Sequence, residues 1–98
     1  MAFKLRFSSR AKGDLEKLTA NPALEKRAKA VRGCIAKLEA NPRHPGLSIH
    51  KYDILSSEVG EVVLEAYAEN NTRGAYRIFW HYGPEKDVIT IIAITPHP

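Results

Sequence analysis

The chain of 98 residues contains one cysteine, one tryptophan and one methionine. A single cysteine excludes an intrachain disulfide, and a small protein that folds without one suits a reducing compartment, so a cytoplasmic location is expected. Long hydrophobic runs are also missing. The most apolar stretch, Val88 to Ile94, is far shorter than the roughly 20 residues that cross a bilayer, so no membrane span is expected. At the N-terminus, Met1-Ala-Phe-Lys-Leu-Arg-Phe alternates apolar and basic residues and lacks the continuous apolar core of a signal peptide, so it reads as structure. There is no Gly-rich phosphate loop, serine-triad motif, internal repeat or low-complexity segment. His44, His50, His81 and His97 show no compact ligand spacing, so neither a metal nor another cofactor is expected.

What is present is an ordinary globular composition, 44% hydrophobic and 27% charged, in a length that supports a single domain over residues 1–98. The net charge of +4 hides an asymmetry: residues 1–51 carry 12 Lys/Arg against 4 Asp/Glu, a net +8, and residues 52–98 carry 3 against 7, a net −4. The basic half favours a polyanion or an acidic protein as partner, although solvated charge on helix surfaces is the plainer reading.

Phe3, Leu5 and Phe7 alternate with Lys4, Arg6 and Ser8, which predicts a first strand with one buried face. Ser8 and Ser9 are candidate N-caps for a short helix carrying Ala11, Leu15 and Leu18 on one side. Asn21-Pro22 reads as the cap and first position of a second helix, whose Leu24, Ala28, Val31, Ile35 and Leu38 form one apolar stripe. Cys34 falls within that helical apolar pattern and is expected to be buried packing. Asn41-Pro42 stops the helix. Residues 43–60 read as a long connection with some extended pairing. Three strands follow, Glu61 to Glu69, Tyr76 to Tyr82 and Val88 to Ile94, separated by turn-rich residues 70–74 and 83–87.

The order β-α-α-β-β-β predicts an α+β fold in which two N-terminal helices cover one face of a four-stranded, mainly antiparallel sheet. In the third strand Tyr76, Ile78, Trp80 and Tyr82 share the face expected to meet the helices, while Arg77, Phe79 and His81 share the other. In the last strand a regular alternation places Ile89, Ile91, Ala93, Thr95 and His97 together. The sheet face away from the helices is expected to be free for a partner or substrate.

This pattern resembles the RelE/ParE superfamily of small bacterial toxins over almost the whole chain. The resemblance rests on the Pro-Gly-Leu…His-Lys-Tyr stretch at residues 45–52, the Ala75-Tyr76-Arg77-Ile78-Phe79-Trp80 strand and the Ile-Ile-Ala-Ile-Thr-Pro-His ending at His97. It implies the toxin of a type II toxin–antitoxin system, neutralised by a cognate antitoxin protein. The RelE-like branch implies a ribosome-dependent mRNA endonuclease, with mRNA on the ribosome as substrate; the ParE-like branch implies a gyrase poison. A non-nucleolytic member that only binds its antitoxin is a further alternative. Arg77 matches a catalytic arginine of the family's Tyr-Arg strand, and His97 falls where those nucleases carry arginine or histidine. Lys51 sits where the family offers basic or acid-base groups. Glu65 and Tyr67 stand where some members carry lysines, and the sequence stops at Pro98, short of the tail that carries a functional tyrosine in several nucleases.

Metal-free RNA cleavage by the 2′-OH needs a base, a cation over the phosphorane-like transition state, and an acid for the leaving 5′ oxygen. Arg77 suits the cation, since a guanidinium stays charged and matches phosphate oxygens. His97 suits the acid, and Glu65 is the candidate base. Lys51 and Arg73 are candidate phosphate contacts, with Tyr67 and Phe79 as candidate base-stacking rings. The structural readings are an Arg77–Glu65 pair across the strands, of about 0.2–1 kcal/mol, and Glu61, Glu65 and Glu69 as a solvated strand face that would repel RNA. Trp80 and Tyr82 read as core.

Overall fold

The computed structural model describes residues 3–52, 56, 60–70 and 72–96. Its first strand, β1 (Lys4–Phe7), shows the alternation read from sequence, with Lys4 and Arg6 exposed and Leu5 and Phe7 half-buried. Helix α1 (Ser9–Ala20) starts at Ser8, whose side chain accepts a hydrogen bond from the Ala11 amide at 3.0 Å. That bond satisfies one of the amides a helix leaves unpaired at its start. Asn21 caps a 3₁₀ turn, Pro22–Leu24, by accepting from the Ala23 amide at 3.0 Å. The turn leads into α2 (Glu25–Ala40), and the predicted stripe faces inward with Ala28, Val31, Cys34 and Leu38 buried.

Strands β2 (His50–Lys51), β3 (Leu64–Tyr67), β4 (Tyr76–Tyr82) and β5 (Val88–Pro96) complete a mixed sheet in the order β1-β5-β4-β3-β2. The α+β class stands, with five strands in place of four because the long connection contributes the short β2 at one edge. Strand β1 pairs parallel to β5, and the other neighbours are antiparallel. Both helices lie on the face carrying Ala66, Ile78, Trp80, Ile89, Ile91 and Ile94, which form the main core with Leu18, Val31 and Leu38.

The alternation expected in the last strand fails at one point. Phe79 pairs with Ala93 but Trp80 pairs with Ile91, so Ile92 is an extra residue in β5. A bulge of this kind reverses which side chains face which side. Ile89 and Ile91 therefore meet the helices, whereas Ala93 packs with Phe79 on the opposite face. Helix α1 satisfies the strand here, where β1 has ended: Ser8 Oγ donates to the Ile92 carbonyl at 2.9 Å and Asp14 Oδ2 accepts from the Ile94 amide at 2.9 Å.

The second sheet face is also less open than its residue types suggest. Val63, Phe79 and Ala93 form a small second core there, with Tyr52 and Ile92 packed against it. Ser56 holds this cover in place: its hydroxyl donates to the Tyr52 carbonyl at 2.8 Å and accepts from the Val63 amide at 2.8 Å.

Candidate functional site

Strand register gathers the polar residues of the second face. Arg77 lies directly opposite Tyr67, and Glu65 lies opposite Phe79, so Arg77 and Glu65 are diagonal neighbours on the same side. Arg77 Nη1 donates to Glu65 Oε2 at 2.5 Å, with side-chain exposures of 13% and 6%. The guanidinium carbon stands 4.3 Å from the centre of the Tyr67 ring, a distance at which the ring's negative face attracts a cation. Arg77 Nε is buried and has no hydrogen-bond partner among the described residues. On the far side of the strand pair, Thr95 of β5 lies opposite Arg77.

The acids expected to form a solvated strand face are partnered. Only Glu65 lies within β3, and it is buried against Arg77. Glu69 Oε1 is 3.4 Å from Arg27 Nη1 and accepts from the Tyr76 amide at 3.0 Å. Glu61 Oε2 is 3.1 Å from His81 Nδ1, which is also 2.9 Å from the Tyr82 carbonyl. Each carboxylate has a cation or an imidazole beside it, which lowers the repulsion a polyanion meets on this face.

Other expected site residues are distributed more widely. Phe79 is buried at 5% exposure with its ring centre 4.8 Å from that of Tyr52, so its faces are taken up by packing. Lys51 lies opposite Leu64, and alternation puts its side on the helix-bearing face; His50, opposite Glu65, takes the position on Arg77's face. The His50 ring centre lies 5.7 Å from that of Tyr67. Arg73 is exposed in the β3–β4 turn, and its carbonyl accepts from Arg27 Nη2 at 3.0 Å. His97 lies outside the described residues. Glu65, expected as a base, is committed to the guanidinium, so in this arrangement it orients Arg77. His50 has no metal-ligand spacing and lies outside the terminal stretch that singles out His97; its signal in the sequence is its position two residues before Tyr52 in an extended stretch.

A concavity of about 440 Å³, lined by Tyr67 and Ala68, lies between α2 and the 3₁₀ turn Pro45–Leu47. Lys26, Lys29 and Lys37 stand around it, with Cys34 and Leu47 in its floor. Burial pushes the Cys34 thiol up to about 12, against the opposing pull of Lys37, so the sulfur is protonated and unreactive at neutral pH. Among the described residues no group of three His, Cys, Asp or Glu side chains could hold a metal ion. Nor is any described helix long and apolar enough to cross a membrane.

Neither a family model nor a curated protein matches the sequence. Solved structures do match the fold. A YoeB/ParE toxin from Agrobacterium tumefaciens superposes with a TM-score of 0.70 at 12% identity, covering 97% of this chain and 99% of that one. A chain of the archaeal RelE–RelB complex from Pyrococcus horikoshii OT3 gives 0.65 at 16% identity, covering 98% and 96%. The YoeB dimer from Staphylococcus aureus gives 0.65 at 14% identity, with full coverage of both chains. The element order, the helix-covered mixed sheet and these end-to-end superpositions give one conclusion: the chain has the fold of the RelE/ParE toxins.

Proposed function

We propose that this protein is the toxin of a type II toxin–antitoxin pair and acts in the cytoplasm by cleaving mRNA on the ribosome. The observation that carries the reading is Arg77: a guanidinium set on the sheet face away from the helices, between a carboxylate and a phenol, with its Nε donor unspent. Two buried donors have no partner among the described residues, Arg77 Nε and the core Trp80 Nε1; that of Arg77 lies beside a charged pair on the sheet face away from the helices, where a bound phosphate can supply the missing acceptor. In the proposed reaction Arg77 binds the scissile phosphate and stabilises the charge that builds on its oxygens. Glu65 holds the guanidinium in orientation, and Tyr67 presents its ring beside it. His97, two residues beyond Thr95 in sequence, supplies the proton to the leaving 5′ oxygen. Arg73, exposed in the β3–β4 turn, is proposed to contact a flanking phosphate, whereas Lys51 lies on the helix-bearing side and is not assigned to this face. The ribosome presents the mRNA, which is consistent with so small a set of groups on the protein.

Complexes of RelE with RelB among the structural neighbours support a cognate antitoxin as partner. We place part of its contact in the lysine-rimmed groove of α2, where an apolar floor and basic rim match an acidic, amphipathic segment. One observation favours a second reading, a non-nucleolytic toxin directed at gyrase or a member that only binds its antitoxin: Glu65 already neutralises Arg77, and little of the guanidinium is exposed. The deciding experiment incubates the protein with ribosomes programmed with a defined mRNA, maps the RNA ends, and assays DNA supercoiling by gyrase in parallel. Cuts phased to codons, lost in the paired variant Arg77→Met/Glu65→Leu, support the nuclease. Intact mRNA with inhibited supercoiling overturns it in favour of the gyrase poison; inactivity in both assays leaves the binding-only member.

A further inference from the structure

The proposed cleavage needs a group to take the proton of the attacking 2′-OH, and the carboxylate expected for this task is bound up with Arg77. We infer that His50 is that general base; the inference rests on the nuclease reading above. Three observations place it.

First, register puts His50 opposite Glu65, on the face that carries Arg77 and Tyr67, whereas the neighbouring Lys51 is opposite Leu64 on the helix-bearing side. A two-residue strand offers one position to each face, and on this one the imidazole takes the polar cluster.

Second, the Tyr67 ring is a common reference for both groups. It lies 4.3 Å from the Arg77 guanidinium carbon and 5.7 Å from the His50 ring centre, so guanidinium and imidazole are within 10.0 Å of each other. A phosphate oxygen bonded to one and the adjacent 2′-OH bonded to the other, each at about 2.6–3.2 Å, fit within that span.

Third, His50 is exposed, unlike Glu65. Its ring can meet a substrate and return its proton to water. Among the described residues, the charged and titratable groups on its own strand and on the neighbouring strands of this face are Lys51 beside it on β2, Glu65 and Tyr67 of β3 and Arg77 of β4.

The step balances without a further reagent. The 2′-O–H proton passes to the imidazole as the 2′-O–P bond forms and the P–O5′ bond breaks. The 5′ oxygen takes a proton from His97, leaving a 2′,3′-cyclic phosphate and a 5′-hydroxyl. His50 and His97 then exchange protons with solvent.

The test measures single-turnover cleavage of mRNA on programmed ribosomes by the wild type, His50→Ala and His50→Phe. Phenylalanine keeps a ring against Tyr67 but has no proton to exchange. Both variants are expected to lose about 10²–10⁴-fold in the cleavage rate with ribosome affinity and melting temperature unchanged. Added imidazole is expected to restore cleavage to His50→Ala and not to His50→Phe. Cleavage by His50→Phe near the wild-type rate, or a rate loss in His50→Ala that imidazole does not restore, overturns the assignment of His50 and leaves the nuclease reading standing. Absence of cleavage by the wild type overturns both.

Discussion

Replacing Arg77 by alanine removes the cation that compensates Glu65, a carboxylate only 4% exposed. Exposed pairs across strands contribute about 0.2–1 kcal/mol, the value an open strand face would imply. Burial changes the scale. Breaking a buried pair leaves an uncompensated charge, at about 3–5 kcal/mol. A domain of this size has about 5–15 kcal/mol of stability in total, so Arg77→Ala is expected to remove a large fraction of it. At roughly 4–8 °C per kcal/mol, the melting temperature falls by more than about 12 °C. The two partners removed together behave differently: in Arg77→Met/Glu65→Leu no charge is stranded, and stability is expected to return to within about 1–2 kcal/mol of the wild type. Urea unfolding followed by the fluorescence of Trp80, the one tryptophan and fully buried, reads all three proteins. A cost below about 1 kcal/mol for Arg77→Ala would show that solvent screens the pair as it does on a surface, and would refute the argument from burial. The paired variant also separates function from folding, because it removes the guanidinium from a protein that remains folded.

Three other perturbations test different parts of the structure. Arg27 ties α2 to the β3–β4 turn through the Gly74 carbonyl at 2.6 Å, the Arg73 carbonyl at 3.0 Å and Glu69. The turn needs Gly74 at φ +66°, so it depends on outside contacts to hold its shape; Arg27→Ala is expected to cost about 1.5–3 kcal/mol and to speed amide exchange at Tyr76. Cys34 should resist a thiol reagent in the native protein at neutral pH and react once urea unfolds it. Its thiol ionises near 9.0 in the unfolded chain and near 12 in the folded one, so the folded state holds the extra proton between those values. Stability present below pH 9 is lost as pH rises toward 12, and Cys34→Ala should flatten that slope in pH-dependent urea titrations. Finally, Lys26→Glu/Lys29→Glu is expected to slow antitoxin association about 10-fold at low salt and to weaken its dependence on ionic strength in stopped-flow measurements.

The sequence by itself determined the order of the two helices and the four longer strands, the Ser8 and Asn21 caps, the latter on a 3₁₀ turn and not on α2 itself, and the inward-facing stripe of α2. Each follows from interactions within a few residues of one another: Ser8 with the Ala11 amide, Asn21 with Ala23, and the three- and four-residue spacing from Ala28 to Leu38. The Arg77–Glu65 pair was legible as a contact, because strand alternation and short turns bring those positions together. Tertiary structure decided what that contact means. The cover to which Tyr52 and Ser56 belong makes the face a partly dry one, which buries Phe79 and raises the weight of the charges beside it. Only the extra residue at Ile92 decides which isoleucines of β5 meet the helices. Only the pairing of a two-residue strand with β3 puts His50, and not Lys51, beside Tyr67. The cover depends on contacts between residues far apart in the chain, and the other two cases share one physical reason: a one-residue shift in a strand exchanges its two faces, and the partner strand selects the shift.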